Sequence, residues 1–325
     1  MGPSGTATSA HHDEFVARCR GLRPMRTAVV HPCDKIALES ALAAGAAGII
    51  VPVLVGNAKV VETLARAARL DLSGCEVVTA SDSRDAAAKA VELARTGGVE
   101  ALAKGSLHSD ELLHAIAIPD SGLHTQRRLT HAYVTDLPGH PEPLLITDAV
   151  VNIAPSLEEK RDVVQNAIDL AHALGLDEVR VALLSAVETV TPRVPSTLDA
   201  AALCKMSDRK QIVGAVVDGP LALDDALSAQ AAAEKGIVSP VAGRANVLVV
   251  PDFESGNMLA KALILLAGAQ AAGVVLGASV PVALTSRADS IATHVASLAV
   301  ARLLCERGGK PTLRAVPPRR GARPV

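Results

Sequence analysis

The stretch SLEEKRDVVQNAIDLAHALGLDEVRVALL, residues 156–184, contains a helix and the strand that follows it. Ser156 with Glu159 three positions later has the form of a capping box, which predicts a helix start. Gly175 predicts the end of that helix. The apolar run Val179–Leu184 then predicts a strand, so this stretch has the form of part of a βαβ unit. The apolar residues that share one face of the helix are Val164, Ala167, Ile168, Ala171 and Leu174.

The same alternation of short apolar runs and alanine-rich helical segments extends over the rest of the chain. It predicts an α/β fold with a mostly parallel sheet. Most runs lack polar alternation, as expected for strands that are covered on both faces. The other predicted strands are Thr27–Val30, Ile49–Leu54, Glu76–Val78, Ile212–Val217, Val247–Val250 and Pro281–Leu284. The other predicted helices are Arg84–Arg95, Leu198–Met206, Leu221–Lys235 and Ala288–Leu304.

The length of 325 residues exceeds one typical core of roughly 100–200 residues, so we expect two domains. Three prolines and a glycine interrupt the pattern in Leu137–Pro143 and predict a domain junction there. The segment Ala262–Thr285 is nearly free of charge and long enough to cross a bilayer. Its Gln270 and Pro281 favour a buried helix followed by short strands, so no membrane association is predicted.

Composition and charge exclude several classes of protein. The net charge of -2 and the aromatic content of 1% are unfavourable for phosphate binding along a nucleic acid and for base stacking, so no nucleic-acid partner is expected. The five cysteines are odd in number and contain no C-x-x-C pair, which argues against a disulfide framework or a structural zinc site. The first 15 residues have no apolar core and are interpreted as a loose leader. We therefore expect a cytoplasmic protein.

The familiar nucleotide and hydrolase motifs are missing from the sequence. It contains no G-x-G-x-x-G after a strand, no G-x-x-x-x-G-K-[ST], no H-E-x-x-H and no G-x-S-x-G. Candidate chemistry lies instead in polar residues at the ends of apolar strands, where an open parallel sheet presents its binding crevice.

The first candidate is the loop TSRADS, residues 285–290, between a predicted strand and a predicted helix. Ser286 and Asp289 suit a capping box, which is the simple structural interpretation. Arg287 is unfavourable at the positive end of a helix unless an anion also lies there. The pattern therefore indicates a site for phosphate or for a developing oxyanion.

Three other loops carry candidate ligands. Lys104 precedes a Gly-Ser pair, and Arg127 and Arg128 follow some twenty residues later, so all three offer cations to a polyanionic substrate. Asn257 follows Gly256 in a turn after a buried strand and offers both a donor and an acceptor. The third loop places three carboxylates after a strand, which suits either a divalent metal or a helix N-terminus: Asp218, Asp224 and Asp225.

These segments together resemble the phosphate acetyltransferase and phosphate butyryltransferase family of acyl-CoA:phosphate acyltransferases. The resemblance spans nearly the whole chain and its blocks follow the order of the family. The blocks are KGSLHSDELL, LTHAYV, ITDAVVNIAPSLEEKRDVVQNAI, VALLSAVETV, DGPLALDDAL, PDFESGNMLAKAL and VALTSRADS.

The resemblance implies two α/β/α lobes with mostly parallel sheets and an active site in the cleft between them. The implied fold is similar to that of the isocitrate and isopropylmalate dehydrogenases. Domain I is expected to comprise residues 1–139 plus 273–325, with domain II, residues 140–272, inserted in it. A homodimer is implied as well.

The implied reaction is the reversible transfer of a short acyl group, acetyl favoured and butyryl possible, between CoA and inorganic phosphate through a ternary complex. CoA is then a substrate, and no cofactor or metal is predicted. Ser286 and Arg287 resemble the family's donors to the oxyanion or phosphate, and Asp289 is the candidate base. The sequence departs here from the acetyltransferase branch, whose Asn-Asp-Leu-Ser-Arg-Gly run places its acid farther on. SRADS is closer to the butyryl type.

Further substrate-binding residues are implied by the same resemblance: Lys104, Arg127, Arg128, Thr130, Asp148, Asn152 and Asn257. Arg127 or Arg128 is expected to contact a CoA phosphate, while Asp148 equally suits the end of a strand.

Three alternatives stay open at this point. One is a metal- and NAD-dependent decarboxylating dehydrogenase of the same fold, with Asp218, Asp224 and Asp225 as metal ligands. Another is a non-catalytic CoA-binding module. A covalent route with Cys33 as acyl carrier is the weakest, because no activating histidine is evident from the sequence.

Overall fold

The structure, a computed structural model, describes residues 10–287 and 289–307. The strands are β1 (Met25–Val30), β2 (Ile50–Gly56), β3 (Glu76–Thr79), β4 (Ala101–Lys104), β5 (Thr130–Asp136), β6 (Leu144–Thr147), β7 (Arg180–Leu184), β8 (Val216–Leu221), β9 (Val247–Val249), β10 (Gln270–Leu276) and β11 (Val282–Ala283). The helices are α1 (Ala10–Cys19), α2 (Lys35–Ala46), α3 (Ala58–Ala68), α4 (Ser83–Arg95), α5 (Ser109–Ala117), α6 (Leu157–Ala173), α7 (Pro195–Asp208), α8 (Leu223–Leu227), α9 (Ala229–Glu234), α10 (Phe253–Leu266) and α11 (Ile291–Arg307).

The chain divides into two compact units. Within the described residues, the first unit covers residues 10–14 and Thr130–Gly273, and the second covers Phe15–Leu129 and residues 274–307. Strand β10 spans the division at Gly273. The expected α/β architecture is confirmed in both units, because each contains a mostly parallel sheet with helices between its strands.

The second unit contains strands in the order β3-β2-β1-β4-β11-β10. All neighbours from β3 to β11 are parallel, while β11 and β10 run antiparallel. Five of the six residues of β1 and all four residues of β4 are buried. A strand that is buried at successive positions is covered on both faces of its sheet. Helices α2 and α11 contact each other, as do α4 and α5.

The first unit contains strands in the order β5-β6-β9-β7-β8. Only β5 and β6 run antiparallel there, and the other neighbours are parallel. Its core includes Leu144 and Ile146 from β6, Ala182 from β7 and Leu248 from β9, packed against Ala260 of α10. The predicted capping box is confirmed in this unit: Glu159 N donates to Ser156 Oγ, and Ser156 N donates to a Glu159 carboxylate oxygen at 2.8 Å.

The proline-rich segment 137–143 connects β5 and β6, which pair antiparallel with Thr135 opposite Leu144. It therefore lies in a hairpin of the first unit, and the units divide earlier, between Leu129 and Thr130. Proline and glycine interrupt the local pattern in a hairpin loop just as they do in a linker. The sequence pattern alone does not distinguish these two cases.

Three predicted elements differ in detail from the structure. The predicted strand Ile212–Val217 begins at Val216, because Gly214 with φ +90° makes a turn just before it. The predicted helix Leu221–Lys235 is two short helices, because Ser228 is extended and its side chain accepts from Ala231 N. The predicted loose leader includes α1, whose His11 N donates to Asp136 at 3.0 Å. Residues 1–9 lie outside the described residues.

Across residues 10–287 and 289–307, we find no helix with both the length and the apolar character that crossing a bilayer requires. The apolar segment considered for a span contains the end of α10, then β10 and β11.

Gly277 is a position where the second unit requires glycine. Its φ is +85°, and a Cβ placed on it would lie 2.1 Å from the carbonyl oxygen of Arg128. Gly97 has a similar φ of +76° but no atom within 4 Å of the corresponding position. The matched pair separates the cost of backbone conformation from the cost of the steric conflict.

We expect Gly277→Ala to destabilise the protein by about 1–3 kcal/mol more than Gly97→Ala, because overpacking adds to the strain of a positive φ. Urea unfolding midpoints of the two variants check this. Equal midpoints would show that the close approach to Arg128 relaxes without cost.

Candidate active site

The carboxyl ends of three neighbouring strands of the second unit meet at one edge of its sheet. Strand β4 lies between β1 and β11 and is parallel to both, with Lys104 opposite Val30 and Ala103 opposite Ala283. Open α/β sheets bind ligands outside the carboxyl ends of their strands. The loops that follow β1, β4 and β11 therefore make up the candidate active site.

Lys104 ends β4 and is only 5% exposed. Its Nζ donates to the carbonyl oxygen of Gly105 at 3.3 Å. Burial lowers the pKa of Lys104, and the Arg287 guanidinium lowers it further, while Asp289 and Asp34 act in the opposite direction. The lysine is thus a buried cation that lies close to the residues of the loop after β11.

The backbone after Lys104 is fixed against β1. Gly105 N donates to Val30 O at 2.9 Å, and a Cβ on Gly105 would lie 2.4 Å from that oxygen. Ser106 Oγ donates to His31 O at 2.7 Å and accepts from Cys33 N. These contacts explain the Gly-Ser pair after Lys104, because only glycine allows this approach of the two strands.

Arg287 contacts a residue that sequence reasoning missed. Its Nη2 donates to His108 Nδ1 at 2.7 Å, and both side chains are exposed. Since a guanidinium is always a donor, this nitrogen of His108 acts as the acceptor in the contact. His108 lies in the KGSLHSDELL block, but only the pairing of β4 with β11 brings it to Arg287.

The predicted cap at Ser286 differs from the structure. Helix α11 begins at Ile291, and the residue whose side chain accepts at its start is Ser290, from Thr293 N at 3.2 Å. Ser286 and Asp289 instead form a turn before the helix: Ser286 N donates to Asp289 Oδ2 at 2.7 Å. Ser286 and Ser290 both stand at positions in the sequence that suit a helix cap. Ser286 belongs to the turn, and Ser290 lies at the start of the helix. Ala288 lies outside the described residues.

Thr285 is buried beneath this turn. Its Oγ1 lies 3.0 Å from Nδ1 of His294, which is one turn into α11. The strand end that carries Ser286 and Arg287 is therefore attached by a side-chain contact to the helix that follows it.

Arg127 and Arg128 lie in a loop of the second unit that Gly277 approaches closely. Thr125 Oγ1 donates to Gly277 O at 2.6 Å and accepts from Arg127 N. Arg128 is exposed and Arg127 is half-buried. The structure thus fixes the backbone that presents both arginines.

Asp148 and Asn152, in the first unit, are buried and in contact. Asn152 Nδ2 donates to Asp148 Oδ2 at 2.6 Å, and that oxygen also accepts from His131 N. Asp148 Oδ1 accepts from the backbone N–H groups of Val150 and Val151. Burial raises the pKa of Asp148, while these hydrogen bonds act in the opposite direction. The carboxylate thus fixes the loop that follows β6.

Asn257 and Thr130, the other predicted substrate-binding residues of the first unit, form hydrogen bonds with neighbouring residues. Asn257 Nδ2 donates to Ala149 O at 3.2 Å, which brings Asn257 to the Asp148 loop. Thr130 is fully buried, and its Oγ1 accepts from Asn166 of α6 at 3.0 Å.

Of the three carboxylates considered as metal ligands, Asp218, Asp224 and Asp225, the structure brings two close together. Among the described residues, Asp224 and Asp225 cluster with Glu188, and Asp218 is not in this group. The Nζ of Lys235 lies 3.0 Å from a carboxylate oxygen of each of the three clustered residues. The ammonium therefore forms an ion pair with all three carboxylates and offsets part of their charge. Asp218 Oδ1 instead accepts from Gly219 N.

Cys33 lies near His31, with Sγ 3.6 Å from Nδ1. Burial raises the pKa of the Cys33 thiol and lowers the pKa of His31. Both shifts favour the neutral thiol, which is the poorer nucleophile. His31 is thus in contact with the thiol, but the directions of the two pKa shifts do not favour Cys33 as an acyl carrier.

The sequence is similar to one family of proteins and to several of its members. Residues 82–302 match the family described as phosphate acetyl/butaryl transferase. The chain is 55% identical over 301 residues to a phosphate acetyltransferase of Rhizobium meliloti, covering 93% of this chain and 95% of the relative. It is 39% identical over 292 residues to a phosphate butyryltransferase of Clostridium acetobutylicum, covering 90% and 97%.

Solved structures agree with this assignment. A branched-chain phosphotransacylase from Enterococcus faecalis V583 matches with a TM-score of 0.73 and 31% identity, covering 86% of this chain and 99% of that one. A 4-hydroxythreonine-4-phosphate dehydrogenase from Klebsiella pneumoniae, at 15% identity and a TM-score of 0.52, covers 87% and 98% and shows that the fold is shared with a dehydrogenase. The predicted family is therefore confirmed: this chain belongs to the phosphate acetyl/butaryl transferase family.

Proposed function

We propose that this protein is a phosphate acetyltransferase, which transfers an acetyl group reversibly between CoA and inorganic phosphate. The observation that carries the proposal is the convergence of Lys104 and Arg287 at the ends of two adjacent strands of the second unit. Two cations at one sheet edge suit a phosphoryl group that both enters and leaves as an anion.

The proposed chemistry follows from the charges of this edge. In the direction of acetyl-CoA synthesis, the CoA thiolate adds to the carbonyl carbon of acetyl phosphate, the carbon–oxygen bond breaks, and inorganic phosphate leaves. Asp289 accepts the thiol proton. Arg287, with Ser286, donates to the oxyanion or to the phosphate, where charge develops during the reaction.

Binding of CoA is assigned to the neighbouring loop of the second unit. We propose that Arg127 or Arg128 contacts a CoA phosphate, because the backbone that presents both is fixed at Gly277. Asp148, Asn152, Asn257 and Thr130 are proposed as residues that shape the substrate site, Asp148 by holding its loop and not by direct contact.

Acetyl is the proposed acyl group, since the relative at 55% identity is named a phosphate acetyltransferase and the one at 39% a butyryltransferase. One methylene changes discrimination by only about 1–3 kcal/mol, so activity with propionyl and butyryl substrates is expected at lower kcat/KM.

The proposal is tested by phosphate-dependent release of CoA from acetyl-CoA, propionyl-CoA and butyryl-CoA by the purified protein. Turnover that is highest with acetyl-CoA and is unchanged by a chelator supports it. CoA binding without turnover would indicate a binding module, and NAD reduction that a chelator abolishes would indicate a dehydrogenase.

We also propose that the protein works as a homodimer, as the family resemblance implies, and in the cytoplasm, as its cysteine content indicates. Light scattering of the purified protein gives its mass in solution. A mass of 33.2 kDa, that of one chain, would contradict the dimer.

A further inference from the structure

A small cavity lies beneath the candidate active site within the second unit. Its walls are mostly small apolar residues of β1, α2, β4 and β11. Four polar side chains also line it: Ser40 of α2, Lys104 of β4, Thr285 after β11 and His294 of α11. All four belong to the buried part of the protein.

Two of these side chains carry buried polar atoms without a partner. Ser40 Oγ and His294 Nε2 make no hydrogen bond within the described part of the chain, and the residues are 2% and 8% exposed. Leaving such a group unsatisfied costs roughly 1–3 kcal/mol. Two such residues in the lining of one cavity are consistent with a small polar ligand there.

The size of the cavity selects the ligand. Its volume is about 10 Å³, which is close to the roughly 10–15 Å³ that one water needs. A buried water usually makes about three hydrogen bonds. The lining residues Ser40, His294 and Lys104 contribute that number of polar side chains.

We propose that His294 is a positioning residue of the acyl-transfer site. Its neutral imidazole contacts Thr285 on one side and, on the other, shares one buried water with Ser40 and Lys104. These two contacts fix the strand end that carries Ser286 and Arg287. This inference rests on the proposed function and assigns to it a residue outside the substrate-binding loops.

The charges around His294 favour its neutral form. Burial lowers the pKa of His294 below its ordinary value and Lys104 acts in the same direction, while Asp289, Asp34 and a hydrogen bond to the Ser286 backbone oppose them. Protonation would place a second buried cation in the wall of the cavity beside Lys104. Acid is therefore expected to disturb the loop, with activity lost as the pH falls below 6.5 toward the lowered pKa of His294.

The test compares His294→Asn, which keeps a polar atom near Nδ1 but removes Nε2, with His114→Asn, the same change at an exposed histidine of α5. We expect His294→Asn to lower kcat about 10-fold to 100-fold and to raise KM for phosphate, because small displacements of a catalytic group cost up to about 10² in rate. The acid limb of its pH profile should also move to lower pH, because the contribution of His294 to it is removed. His114→Asn should change neither.

Two variants of Thr285 test the same role of His294 if His294→Asn folds poorly. Thr285→Ser retains the hydroxyl and should rescue activity, whereas Thr285→Val, of similar shape, should behave like His294→Asn. Wild-type kinetics for Thr285→Val, or an unchanged acid limb in His294→Asn, would overturn the positioning role.

A readout without turnover separates this inference from the proposed function. Inorganic phosphate should raise the Tm of the wild type and of His114→Asn, and raise it less in His294→Asn. An inactive wild type that shows this difference would overturn the proposed function and leave the positioning role intact. An active wild type with equal Tm shifts in all variants would overturn the positioning role alone.

Discussion

Arg287→Ala should lower kcat for acetyl transfer by about 10² to 10³-fold, the effect of removing one donor to the transition-state oxyanion. The residue is exposed and its guanidinium contacts His108, so its removal leaves no buried group unpaired. Folding stability should therefore change little. Initial rates with acetyl-CoA and phosphate, together with the urea midpoint, measure both quantities.

Arg287→Lys and Arg66→Ala are the matched controls for this prediction. Lysine keeps the charge but loses the planar fork, so a partial loss is expected. Arg66 is an exposed arginine of α3, and its removal should leave the rate unchanged. If Arg287→Ala retained wild-type turnover, the loop after β11 would not be the site of the transferred group.

Asp289→Asn should lower kcat by about 10² to 10⁴-fold, the contribution of a general base. The variant is informative because asparagine retains an oxygen that can accept from Ser286 N, the contact that Asp289 makes at 2.7 Å. The turn is thus preserved while the proton acceptor is removed.

Asp289→Ala removes both the turn contact and the base, and it serves as the comparison. Equal losses of kcat in the two variants, with unchanged stability, would assign the effect to the base. A variant Asp289→Asn with full turnover and an impaired Asp289→Ala would show that the carboxylate only holds the turn.

Local features of the fold were predictable from the sequence where neighbours in the chain determine them. The capping box of Ser156 and Glu159 is an example, because both partners lie within one helical turn. The start of α1 is the opposite case. Its N–H groups donate to Asp136, 125 residues from His11, and no local pattern reveals such a partner.

The residues of the candidate active site were predictable in part for the same reason. Lys104 and Arg287 stand out as cations after apolar runs. Their proximity depends on β4 pairing with β11, which lie far apart in the chain. His108 and His294 were missed because a histidine gains its role only from that pairing and from the packing of α11 beneath the loop.

The proposed reaction requires that the loop after β11 binds the transferred phosphoryl group. A crystal structure of the protein with acetyl phosphate tests it most directly. We predict that phosphoryl oxygens lie within about 3 Å of the Arg287 guanidinium, next to Lys104 and Asp289. A phosphoryl group bound elsewhere, with Arg287 still on His108 and no contact to the ligand, would contradict the claim.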